Sequence, residues 1–352
     1  MSDSKQATAG IKEQAAWRAR ANTLLQNQTV LLAITLVVLG LFFNWGSGGL
    51  FLDLGTLGTV LDDWGAYILL AVGMTFVVIT GGIDLSVGST VSLSSVIAGW
   101  VMVNTLHADL SITGAKANPY LLLATVICLA VGLLVGAINA FLINVFKIVP
   151  FIATLATMGA AAGMAIIISG GMPLQGPNNF DLGLDWKIGD FQLPISTTVT
   201  VVMVITVIAG LFLHKSRFGL YTYALGSNSF ATRGAGISPE KQILKVYLLS
   251  GGMAGLAGAY AYIRLGAGSP SNGMGMELYA IAATVIGGAS LMGGVGRIFA
   301  VALGTLVLFV VQSGLLMMQV VQVSPDLKQV IVAILIAAAV AVQTLQNKNG
   351  RK

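Results

Sequence analysis

Asp84 stands in the nonapeptide GGIDLSVGS, residues 81–89, with long apolar runs on either side. A carboxylate at membrane depth costs at least about 2.5–3.5 kcal/mol unless it finds a partner or water. Two chemistries fit the spacing. The flanking glycines weaken a regular helix, and Ser86 and Ser89 can satisfy the backbone groups that are freed, which suits an element of a pathway or gate. Asp-x-Ser ahead of a helix is also capping chemistry, with Asp84 accepting from the first amides of a helix that begins near Ser86.

Other reactive side chains are scarce, and the scarcity excludes whole classes. His107 and His214 are the only histidines and Cys128 the only cysteine, so a His-based relay, a Cys-ligated metal site and an internal disulfide are not expected. No Gly-Lys dipeptide occurs, so the chain has no phosphate-cradling loop of the P-loop kind. An enzyme embedded in the membrane would need clustered acid, base or nucleophile, and none is visible. No cofactor and no metal are expected on this chain.

The elements that must carry Asp84 are membrane spans. Hydrophobic residues make up 56% of the 352, charged residues only 9%, and mean hydropathy is +0.89, against a charged share of about 25% in soluble domains. The reading is an all-α polytopic membrane protein embedded in the lipid bilayer, with about ten spans. They are expected near 24–43, 65–80, from after residue 89 to about 106, 119–146, 150–169, 194–213, 244–263, 278–290, 298–318 and 329–343. Residues 1–23 form a basic N-terminal segment and 344–352 a basic tail, so the positive-inside rule and an even span count place both termini in the cytoplasm. Trp45 and Trp64 read as aromatic anchors at the outer interface. The net charge of +5 is spread over the ends of apolar runs, which argues against nucleic acid as a partner.

The longest interruption is 214–245, which carries Lys215, Arg217, Arg233, Lys241 and Lys245 against Glu240. Basic residues here serve as topology signals, and Arg217, Arg233 and Lys241 could also pair with acids of a partner. Ser227, Asn228 and Ser229 offer N-cap chemistry, Phe230 can anchor in a pocket, and Gly236 can close a short helix in a left-handed conformation. Glu277 is expected to begin a helix, and the glycines at 287, 288, 293, 294 and 296 to make a tight turn ending at Arg297. Three pairs, Gly132/Gly136, Gly159/Gly163 and Gly251/Gly255, have the spacing that lets helix backbones approach closely in lipid.

Several segments occur together in one order: GGIDLSVGS, INAFLI at 138–143, VPFIATLATM at 149–158, RFGLYTYALGSNSFATRGAGI at 217–237 and ELYAIAATVIGGASLMGGVGR at 277–297. Over roughly residues 65–340 the chain resembles the permease subunits of bacterial ABC importers for monosaccharides, of the ribose, xylose and autoinducer-2 type. The resemblance implies a homodimer in the bacterial inner membrane, cytoplasmic ATPase subunits that carry ATP and Mg, and a periplasmic or extracellular sugar-binding protein. It also implies that the stretch Gly226–Ile237, including Ser227, Asn228, Phe230, Ala231, Arg233 and Gly236, is a coupling helix resting on the ATPase. Asp84, Ser86, Asn139 and Thr154 then become candidates for the substrate pathway or its gate. Asn139, Thr154 and Thr157 could hydrogen-bond a sugar and Phe151 stack on it, while interhelical bonding and packing explain the same residues equally well. The rival class is a secondary transporter driven by an ion gradient, for which Asp84 would be the coupling site.

Overall fold

The computed structural model describes residues 28–106, 114–177, 186–188, 191–193 and 195–318, together with 330 and 334. Its helices are α1 (Gln28–Gly46), α2 (Leu54–Ile79), α3 (Val87–Trp100, continued by a π-helical turn Val101–Thr105), α4 (Asn118–Val145), α5 (Pro150–Ser169), α6 (Thr197–Lys215), α7 (Arg217–Ser227), α8 (Ser229–Gly234), α9 (Pro239–Leu265), α10 (Met276–Ile286) and α11 (Ile298–Met317). Eight of the described helices are long and apolar enough to cross a membrane. The N-terminal segment and the expected span at 329–343 lie outside the described residues, apart from helical positions 330 and 334.

Burial follows from sequence. From Gly65 to Ile79, α2 is apolar on every face and every residue but Tyr67 is buried, so it forms the centre of the bundle. It starts eleven residues before the apolar run because Asp53 caps it, accepting from the Gly55 amide at 2.9 Å. Asp62 and Asp63 are therefore helical, and both pair with Arg264 of α9, at 3.5 and 2.6 Å. Trp64 is correspondingly buried against the expectation of an interfacial anchor, whereas Trp45 is 74% exposed.

Helices α4 and α9 approach more closely than any side chain would allow. A Cβ on Gly132 would lie 2.1 Å from the Gly251 carbonyl oxygen, and one on Gly255 would lie 2.3 Å from that of Cys128. Two of the three expected glycine pairs thus pack on each other. Gly159 and Gly163 on α5 instead face open space within the single chain.

The eighth expected span, 278–290, is not a full-length helix. After α9, residues 266–275 run alongside α3 as a two-residue strand followed by a series of turns, and β4 (Ala267–Gly268) pairs antiparallel with β1 (Leu174–Gln175). Along the way Asn272 Nδ2 donates to Ser95 Oγ at 3.2 Å and the Gly273 amide to Ser92 Oγ at 3.0 Å. Only then does α10 begin, and its eleven residues cover about 16 Å, half of a roughly 30 Å hydrocarbon core. Lys187–Ile188 (β2) and Phe191–Gln192 (β3) form a second small ribbon.

Candidate functional site

Four of the five expected pathway residues meet in one buried polar junction. The chain leaves α2 at Ile79, turns through Gly81 with φ 78°, and folds residues 80–86 back between the helices. Asp84 Oδ1 accepts from the Ser86 amide at 3.0 Å, from Ser86 Oγ at 2.6 Å and, at 3.5 Å, from Asn139 Nδ2 of α4. Its other oxygen accepts from Ser250 Oγ of α9 at 2.9 Å. Asn139 Nδ2 also donates to Ser86 Oγ at 2.8 Å, and Asn139 Oδ1 accepts from Thr157 Oγ1 of α5 at 2.5 Å. Thr154 Oγ1 reaches the Ile83 carbonyl at 3.2 Å. Asp84, Ser86, Asn139, Thr154 and Ser250 are each no more than 1% exposed.

The junction therefore ties the 80–86 segment to α4, α5 and α9. Asp84 accepts the Ser86 amide two residues on, a turn bond, while Ser86 itself is the N-cap residue of α3 and makes no side-chain cap bond. Reading Asp84 purely as a helix cap understates it, because two of its partners come from other helices. Phe151 is not part of the junction: its ring is 48% exposed on the outward face of α5. Ser250 is the member that sequence reasoning missed. Its signal was a small hydroxyl directly before Gly251 and Gly252, on the helix face already marked for close packing.

The second zone lies at the end of the bundle that holds α7 and α8. Asn228 is the only residue between these helices and caps α8, its Oδ1 accepting from the Ala231 amide at 2.9 Å. The helix ends as expected, with Gly236 at φ 81°. The Gly236 amide donates to the Arg233 carbonyl at 3.0 Å and the Ile237 amide to that of Thr232 at 3.2 Å. Within α8 only Thr232 is buried, and Phe230 is 88% exposed. Arg233 pairs with Glu240 of its own chain, and Lys147 lies 3.9 Å from the same carboxylate. Arg217, Lys241 and Lys245 are exposed, without an ion pair among the described residues.

Gly226 joins this zone to the rest. A Cβ there would fall 1.7 Å from the Ile79 carbonyl oxygen and 2.7 Å from the Gly294 amide nitrogen, while Gly294 donates to Ile79 at 2.8 Å. Tyr223 of α7 donates to the Gly296 carbonyl at 2.6 Å, and burial pushes its phenol above the ordinary value against the opposing pull of Arg297. A cavity of about 710 Å³ opens between the two zones, bounded by Gly82 and Tyr247 on one side and by Asn228, Phe230, Arg233 and Glu240 on the other. Among the described residues no three His, Cys, Asp or Glu side chains come together that could hold a metal ion.

Residues 56–340 match the family described as branched-chain amino acid transport system / permease component. The chain belongs to this family. It is a multi-pass permease component, and not an enzyme. It is 36% identical over 294 residues to the ribose import permease protein of Escherichia coli (strain K12), covering 83% of this chain and 86% of the relative. It is 34% identical over 282 residues to the fructose import permease protein of Bifidobacterium longum (strain NCC 2705), with 78% and 73% covered. A D-allose transport system permease protein of Escherichia coli (strain K12) is 34% identical over 281 residues, with 80% and 81% covered. No solved structure matches the chain.

Proposed function

We propose that this chain is the membrane-spanning subunit of an ATP-driven importer that brings a monosaccharide or similar small polyol into the cytoplasm. Two copies form the permease in the bacterial inner membrane, with both termini and the α7–α8 end in the cytoplasm. ATPase subunits bind below and an external sugar-binding protein docks above. Binding of ATP closes the ATPase dimer, α8 moves with it, and the permease exchanges which side its central path faces.

The observation that carries this reading is α8 itself: six residues, capped at both ends, with Phe230 almost fully exposed. An exposed aromatic on a rigid short helix suits docking into a pocket of another subunit. The substrate class rests on relatives named for ribose, fructose and D-allose import. Asp84 argues against coupling to an ion gradient, since it is 1% exposed and its oxygens already accept from neighbouring donors.

Uptake of these sugars by cells carrying the complete transporter tests the class. It is expected to stop on ATP depletion and to survive an ionophore; the reverse pattern would favour the secondary transporter. Phe230→Ala is expected to reduce uptake at least about tenfold, the scale of one anchoring aromatic, with unchanged chain in the membrane. Wild-type uptake by this variant would remove α8 from the coupling role.

A further inference from the structure

Glu277 opens α10, whose eleven residues set it some 16 Å from the Gly287 end of the helix, about half the thickness of a hydrocarbon core. Its position over α3 is fixed by a glycine of the GGIDLSVGS segment: a Cβ on Gly88 would lie 2.2 Å from Glu277 Oε2. The Glu277 side chain is half-buried, and among the described residues no other side chain hydrogen-bonds or ion-pairs with its carboxylate. A carboxylate at this depth is not stable against lipid; it needs water or a polar partner.

The backbone ahead of it makes the same demand independently. Residues 269–275, Ser-Pro-Ser-Asn-Gly-Met-Gly, are non-helical and lie against the middle of the membrane helix α3, and non-helical backbone inside a membrane is tolerated only where protein buries it or where it lines a water-filled cavity. One side of the segment is held by Ser92 and Ser95 of α3. The other side is open: Ser271 is exposed, Met274 is 85% exposed, and Leu278, in the first turn of α10 next to Glu277, is 60% exposed.

We infer that this open face, Ser271, Met274, Glu277 and Leu278, lines the aqueous path of the permease, and that the Glu277 carboxylate accepts hydrogen bonds from hydroxyls of the passing sugar. The inference rests on the sugar-import reading for its ligand but not for its geometry. A carboxylate acceptor suits a neutral polyol, whose hydroxyls all donate, and the adjacent Met274 and Leu278 offer apolar surface to the C–H faces of the ring.

The native chain has a single cysteine, the buried Cys128, so a Cys128→Ala background allows clean labelling. Met274→Cys and Leu278→Cys in full-length chain, in unsealed membranes, are expected to react with a membrane-impermeant thiosulfonate. Val204→Cys, 52% exposed midway along α6, is expected to resist it, and Met292→Cys in the 287–297 turn to react. Reaction at Met292→Cys with none at 274 and 278 would overturn the aqueous lining and make the face a contact between two copies or with lipid.

For the carboxylate, Glu277→Ala is expected to lower ATP-driven uptake of D-ribose, fructose or D-allose, whichever the unaltered transporter carries, by at least about tenfold at equal membrane level. Glu277→Asp is expected to restore a substantial part. Wild-type uptake by Glu277→Ala, or a loss that Glu277→Asp repairs no better than Ala, would overturn the sugar contact. Labelling does not depend on the solute. Normal labelling in a chain that carries none of these sugars would therefore overturn the substrate reading and leave the lining standing.

Discussion

Asp84→Ala is expected to cost the folded chain about 3 kcal/mol or more, because one truncation removes the acceptor of several buried donors. Ser86 N–H, Ser86 Oγ, Asn139 Nδ2 and Ser250 Oγ all point at this carboxyl group. Hydrogen bonds to a charged group contribute about 1.5–3 kcal/mol each, and buried donors left unpaired add a desolvation penalty. The effects are not additive, since Asn139 and Ser86 keep their mutual bond at 2.8 Å. Asp84→Asn retains one acceptor oxygen and lets Ser250 turn its hydroxyl round, so about 1 kcal/mol is the scale expected there. Thermal unfolding of the purified chain in detergent, followed by tryptophan fluorescence, should rank wild type above Asp84→Asn and that above Asp84→Ala. Coincident melting of Ala and wild type would mean that the junction contributes nothing to the fold.

Gly251→Val is expected to prevent α4 from seating on α9. The new Cβ would lie 2.2 Å from the Gly132 carbonyl oxygen and 2.9 Å from the Gly136 Cα. Those are backbone atoms of a long helix, so no rotamer change relieves the overlap and the helices must separate along their contact. Overpacking commonly costs about 1–3 kcal/mol, and a clash against rigid backbone belongs at or above the upper end. Most of the variant should be lost as aggregate in size-exclusion chromatography. Gly159→Val supplies the contrast, for nothing lies within 4 Å of its Cβ position in the single chain, and it should elute with wild-type yield. Equal yields for both would contradict the tight α4–α9 seam.

The spans were legible wherever apolar length alone decides, as for α1, α4, α5, α6 and α11. Boundaries failed where polar residues are paid for by tertiary partners: Asp62 and Asp63 looked like loop residues because Arg264 is two hundred positions away. The site was legible by type, since Asp84, Ser86, Asn139 and Thr154 stand out from their apolar surroundings and do converge. Phe151 did not, because an aromatic in an apolar run carries no mark of which face it occupies. Gly236 was readable in full, its left-handed closure of α8 being a local matter. The shortness of the eighth span, α10, was hidden, because the contacts that hold residues 269–275 against α3 are made by Ser92 and Ser95, about 180 positions away.

The backbone contact at Gly226 has a mechanical consequence. Side chains are compliant: they rotate and absorb small displacements before passing them on. At Gly226 there is none, and the chain beneath α8 bears directly on Ile79 and on Gly294. One of these leads into the segment that carries Asp84, the other into the turn that ends α10. Under the coupling role proposed above, a push on α8 would have no slack in which to be lost and would arrive at both loops at once.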